Sequence, residues 1–268
     1  MRSDYSASKS IKIAISLVLC RKDFAMKQKK RKIIFGIILL FLMVIFAIIF
    51  YLNQYYHSDD SVQDFLISDE SVMIDKQKDF ITFNPKNSSE DAIIFYPGAK
   101  VEFTAYAPLM KQLAQSGITC YLMKMPCNLA VLSPDKADLI LKEKRELHKN
   151  WYIGGHSLGG AMASNYVYKH QNEFKGLILL GAYSTKDLSS THLSVLSLYG
   201  SNDQVLNLEK YKEYKKNLPS STIEFVIQGG NHANYGNYGI QKGDGIATIS
   251  QEEQQQINLE QILTFINS

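Results

Sequence analysis

Gly155-His156-Ser157-Leu158-Gly159 is the stretch of this sequence whose residue types and spacing prescribe a reaction geometry. The serine has glycine two residues before and two after it. The apolar run Trp151-Tyr152-Ile153 precedes it and a small-residue helical stretch follows, which fits a nucleophile raised on a sharp strand-to-helix turn. Such a turn strains the serine backbone, and small residues at Gly155 and Gly159 prevent collision around it. It also leaves the amide of Leu158 at a helix N-terminus, aimed where negative charge develops on a substrate oxygen. Serine is a weak nucleophile at neutral pH and requires a base held by an acid. Two late apolar runs are followed by such groups: Leu193–Leu198 by Tyr199-Gly200-Ser201-Asn202-Asp203, and Thr222–Ile227 by Gln228-Gly229-Gly230-Asn231-His232. In that arrangement Asp203 sets the tautomer of His232, and His232 carries the Ser157 proton to the leaving group. The other histidines fit less well: His57 in a polar stretch, His148 and His170 near helix ends, His192 before a strand, and His156 with its side chain expected to point elsewhere. A second oxyanion donor is expected after Ala92–Tyr96, where Gly98 permits close backbone approach and the amide of Ala99 is the candidate. Glu102 reads as a solvated loop carboxylate.

These residues need a scaffold, and the chain supplies alternating elements. Short apolar runs at Val72–Ile74, Phe80–Phe83, Ala92–Tyr96, Ile118–Met123, Trp151–Ile153, Leu177–Leu180, Leu193–Leu198 and Thr222–Ile227 read as strands. Helices are expected near Tyr106–Gln115, Asp135–Lys144, Leu158–His170, Leu208–Lys216 and Gln251–Asn267. The alternation predicts an α/β fold with a mostly parallel central sheet and helices on both faces. Ser250 followed by Glu253 is a capping box for the last helix, whose Leu259, Ile262, Leu263 and Ile266 mark a buried stripe. The tract QEEQQQ is then expected as a solvated first turn.

Tyr96-Pro97-Gly98, Gly155-His156-Ser157-Leu158-Gly159, Gly200-Ser201-Asn202-Asp203 and Gly229-Gly230-Asn231-His232 make the chain resemble the α/β-hydrolase superfamily over residues 72–267. Within it, the chain looks most like the small dienelactone-hydrolase-like bacterial enzymes. The resemblance implies an α/β-hydrolase fold with Ser157 as nucleophile, Asp203 as acid and His232 as base, in the chain order usual for that superfamily. It points to a carboxylic ester hydrolase working through an acyl-enzyme. Dienelactone hydrolases carry cysteine where this chain has Ser157, so their substrate is not implied. Amide hydrolysis or acyl transfer uses the same triad and stays open, as does a non-catalytic envelope binding protein on the same scaffold. Large lids in the superfamily usually enter after the sixth strand; here only about a dozen residues, 181–192, occupy that place, so the lid is minimal and the site open. The segments 125–132 and 233–245, the latter with Tyr235, Tyr238 and Asp244, are placed to shape it.

Composition separates the two ends of the chain. Residues 1–52 hold ten Lys/Arg against two Asp/Glu, leaving the remainder with nineteen basic and twenty-four acidic residues. A mildly acidic body lacks the footprint of a nucleic-acid binder. Ile33–Leu52 is twenty residues without a charge, about 30 Å as a helix, and matches a bilayer core. Lys27, Lys29, Lys30, Arg31 and Lys32 stand before it, and Asp59 and Asp60 follow. The positive-inside rule leaves the N-terminus cytoplasmic and the remainder extracytoplasmic. The expected organisation is a basic cytoplasmic tail over 1–32, a transmembrane anchor over 33–52, a polar spacer over 53–70 and an α/β-hydrolase domain over 71–268. The partners are the membrane and a small-molecule or envelope ester. Cys20, Cys120 and Cys127 show no metal-ligand spacing, and neither metal nor cofactor is expected.

Overall fold

The computed structural model describes the backbone of residues 2–268 and the side chains of Arg21 and residues 26–268. It divides into two units, one ending at Gln54 and the other spanning Tyr55–Ser268. The first is one helix, α1 (Arg2–Asn53), in which Met26–Asn53 is long and apolar enough to cross a membrane. The expected tail and span therefore share a helix; no glycine or proline lies between Lys27 and Ile33 to break it. The large apolar side chains from Ile33 to Tyr51 are exposed except for Ile45, which is half-buried, so the helix is apolar all round.

The second unit is built on eight strands: β1 (Val72–Lys76), β2 (Phe80–Pro85), β3 (Asp91–Tyr96), β4 (Thr119–Met123), β5 (Asn150–His156), β6 (Gly176–Leu180), β7 (Ser194–Gly200) and β8 (Ile223–Ile227). They form one sheet in the order β1-β2-β4-β3-β5-β6-β7-β8. The first two strands run antiparallel to their neighbours and the other pairings are parallel. The helices are α2 (Ala107–Gln115), α3 (Asp138–Lys144), α4 (Leu158–Lys169), α5 (Leu208–Tyr214) and α6 (Gln251–Ile266). Each central strand feeds both faces by simple alternation. Ile93 and Phe95 of β3 join one core with Leu109, Leu113 and Ile262, while Ala92, Ile94 and Tyr96 join the other with Ile140, Ala163 and Val167. Burial on both faces explains why these strands read as continuous apolar runs in the sequence.

Residues 55–70 do not form the spacer expected of them. Tyr56 pairs with Val101, Asp59 donates its amide to Asn237 O at 2.9 Å, and a 3₁₀ helix at Asp60–Leu66 buries Val62 and Leu66 in the core beside α2. The acids in this stretch made it look detached, but its apolar residues, spaced four apart, dock it.

The parallel strands place the segments following β3, β5, β7 and β8 along one edge of the sheet, where such folds hold their ligands.

Candidate active site

Strand β5 ends at His156 and α4 begins at Leu158, so Ser157 alone makes the turn between them. Its backbone sits at φ 53°, ψ −125°, a strained region for a residue with a side chain. The turn is fastened by the Ser157 amide donating to Leu180 O at 2.9 Å and by Ala161 N donating to Ser157 O at 3.1 Å. The flanking glycines are required by close backbone approach. A Cβ on Gly159 would stand 2.2 Å from Tyr96 O and 2.4 Å from Pro97 O, and one on Gly155 would stand 2.6 Å from Tyr96 O. The loop after β3 is thus pressed onto the elbow through Tyr96 and Pro97, while Leu158 lines the pocket beside Ser157 and Ala99 is not among its lining residues. Among the described residues neither the Ala99 nor the Leu158 amide makes a hydrogen bond, leaving both as available donors.

Asp203 and His232 follow β7 and β8. Gly200 and Gly230 hold these loops together, since a Cβ on Gly200 would meet Gly230 O at 2.3 Å. Asp203 Oδ1 accepts the amides of Val205 and Leu206 at 2.9 and 2.8 Å, and Oδ2 lies 2.7 Å from His232 Nδ1. A carboxylate can only accept here, so the imidazole carries its proton on Nδ1 and offers a lone pair at Nε2. Nε2 has no protein partner, and His232 and Ser157 line the same pocket of about 350 Å³. Gly181, at φ +53°, floors the pair; a Cβ there would press to 3.1 Å from His232 Nδ1.

Several residues that hold this arrangement were not singled out from the sequence. Gln254 lies fully buried on α6; its Oε1 accepts Asn231 N at 3.0 Å and its Nε2 donates to Asn231 O at 2.8 Å, gripping both polar groups of the residue before His232. Gln251 Nε2 donates to Gly236 O and Gln255 Nε2 to Asn237 Oδ1, so three glutamines of the tract expected to be solvated clamp the histidine loop. The signal was present in the helical period: stepping back from Ile262 by fours lands on Asn258 and Gln254, both fully buried. Asp244, which the sequence does single out within the 233–245 segment, ties the two loops, accepting from Ala233 N at 2.8 Å through one oxygen and from Gln204 N at 3.3 Å through the other.

His156 also departs from expectation. Its ring does not point away from the site but packs against His232 with centroids 4.4 Å apart. Tyr106 Oη accepts the Gly98 amide at 3.1 Å and lies 2.8 Å from His156 Nδ1, so its single proton goes to that nitrogen. Burial, then the neighbouring His232, pushes the His156 pKa well down, and burial pushes the Tyr106 phenol up; both groups stay neutral. Tyr235 and Tyr238 are buried in the core and do not wall the pocket, whose lining includes Leu158, Met162, Ala182, Tyr183, Val205 and Leu206. Glu102 accepts the Ser58 amide at 3.1 Å and does not line the pocket.

The model of the alpha/beta hydrolase family matches residues 92–256, and the chain belongs to that family. Its fold is shared with solved structures at low sequence identity. Est1E from Butyrivibrio proteoclasticus is 15% identical with a TM-score of 0.53, covering 74% of this chain and 100% of its own. A predicted CIB-like hydrolase from Thermoplasma acidophilum is 14% identical with a TM-score of 0.52, covering 72% and 99%. TT1662 from Thermus thermophilus is 12% identical with a TM-score of 0.54, covering 74% and 99%. No curated protein matches the chain in sequence.

Proposed function

We propose that this hydrolase is a membrane-anchored serine esterase, cleaving carboxylic esters through Ser157, His232 and Asp203 and an acyl-enzyme intermediate. The carrying observation is the buried Asp203–His232 pair, 2.7 Å apart, whose free Nε2 and Ser157 belong to one pocket. In this reading Nε2 removes the Ser157 proton as the oxygen attacks the ester carbonyl. The amides of Leu158 and Ala99 receive the negative charge, and the imidazolium, held by Asp203, then protonates the leaving alcohol. A water molecule repeats the sequence on the acyl-enzyme and releases the acid. Anchoring is supported by the exposed apolar helix and the five basic residues preceding it, which favour a cytoplasmic N-terminus and an extracytoplasmic catalytic unit.

Labelling with a fluorophosphonate tests the assignment. The wild-type chain is expected to be tagged at Ser157, and Ser157→Ala to lose both tagging and turnover of a short-chain ester. Equal tagging of the alanine variant would reject the nucleophile.

A further inference from the structure

We infer that the catalytic edge of the sheet faces the membrane, with Ile240 and Ile246 seated in the lipid interface, and that the substrate is an apolar acyl ester presented by that bilayer. The inference rests on the anchored-esterase reading above and adds where the domain sits and where its substrate comes from.

Chain connectivity supplies the first observation. Tyr56 is the third residue after Asn53, the end of α1, so at most about 10 Å of chain separates the two. Tyr56 N donates to Lys100 O at 2.7 Å, and Tyr56 O accepts Glu102 N at 2.8 Å, directly after the Gly98-Ala99 loop. Its hydroxyl accepts Lys242 N at 3.0 Å, and Asp59 N donates to Asn237 O at 2.9 Å in the loop after His232. The first residues to leave the helix are therefore stitched to the two loops that flank Ser157 and His232. A helix that spans the bilayer holds this edge near the lipid surface by its own covalent chain.

The second observation is what that rim exposes. Ile240 is 93% and Ile246 89% exposed, the two most exposed large apolar side chains of the folded unit. A lone surface isoleucine needs no explanation. Two on the rim loop that is bonded to Tyr56, three residues past the end of α1, match an interfacial contact, and Lys242 between them suits anionic headgroups. Asp244, the one acid between them, is turned inward onto the amides of Ala233, Gln204 and Gly245. The pocket beside Ser157 carries no Lys, Arg, Asp or Glu in its lining, which selects a neutral, apolar acyl group.

The test uses the full chain in vesicles containing bromine-labelled phospholipid. The single native tryptophan, Trp151, is buried in the domain core and gives the baseline. Ile240→Trp and Ile246→Trp are expected to lose their added emission to bromine quenching, while Ile223→Trp, at the opposite end of β8, retains it. Retained emission at 240 and 246, or equal loss at all three positions, in a chain that floats with the vesicles would overturn the inference. Failure to float would instead overturn the anchor. In parallel, the double variant Ile240→Glu/Ile246→Glu is expected to hydrolyse a long-chain ester embedded in vesicles about tenfold more slowly, the scale of one buried isoleucine. Hydrolysis of a water-soluble short-chain ester should be unchanged, and an unaltered ratio of the two rates would overturn the membrane-presented substrate.

Discussion

Gln254→Leu is the most demanding perturbation, because it leaves Ser157, His232 and Asp203 chemically intact and removes only a side chain that holds the loop carrying His232. The variant deletes two buried hydrogen bonds, to Asn231 N and Asn231 O, at 3.0 and 2.8 Å. Each backbone group left unpaired costs about 1–3 kcal/mol, so the pair costs roughly 2–6 kcal/mol if the loop stays in place. That is a large share of a typical folding free energy of about 5–15 kcal/mol. The loop can recover part of it by moving so that water reaches Asn231. A shift of about 1 Å at His232 is enough to lower kcat about 100-fold. The expected result at low temperature is a folded chain with a reduced melting temperature, kcat down about 10- to 100-fold and a fluorophosphonate labelling rate down by a similar factor. Gln254→Glu retains the acceptor for Asn231 N but loses the donor to Asn231 O, and should fall between the two. Ser250→Ala serves as the control: it removes the cap on Glu253 N at the start of the same helix, costs about 1 kcal/mol, and should lower the melting temperature while leaving kcat unchanged. A folded Gln254→Leu chain with wild-type kcat and labelling rate would refute the role given to this side chain.

His232→Ala and Asp203→Asn should each lower kcat on a short-chain ester by about 10⁴-fold or more; most activity surviving either change would reject the base or its orienting acid. Gly159→Ala should abolish labelling and lower stability, because its Cβ meets the carbonyl oxygens of Tyr96 and Pro97 rather than a movable side chain; near-normal labelling would mean the elbow relaxes freely. His156 has a folded pKa held below its unfolded value of about 6.5, so below that pH the unfolded chain binds the extra proton and stability falls with acid, by up to about 1.4 kcal/mol per pH unit from this group. Denaturant titrations between pH 7 and 5 should show a shallower slope for His156→Gln, and an identical slope would remove His156 as a contributor. Protease added to intact cells should degrade the catalytic unit, and full protection would reverse the orientation.

Much of this arrangement was legible because it depends on local chemistry. Gly155, Ser157 and Gly159 announce an elbow, since few residue types tolerate φ 53° or a carbonyl oxygen 2.2 Å from a Cβ. Apolar runs buried on both faces mark the strands, and the loop positions of Asp203 and His232 follow from where β7 and β8 end. What escaped notice depends on contacts between distant segments. Gln254 looks like any solvent-facing glutamine until α6 is laid against the His232 loop 23 residues away in sequence. His156 and Tyr106 meet across 50 residues, and no local pattern assigns their rings to the back of the site. Residues 55–70 were misread because their acids outnumber the few apolar side chains, Val62 and Leu66 among them, that dock them.

The most direct measurement is the intact mass of the full chain, acid-quenched within milliseconds of mixing with a short-chain acyl ester, followed by peptide mapping. A transient mass increase equal to one acyl group, located on Ser157 and absent from Ser157→Ala, is the predicted result. Turnover of the ester with no acyl adduct under any quench time, or an adduct on another residue that persists in Ser157→Ala, would contradict the serine mechanism.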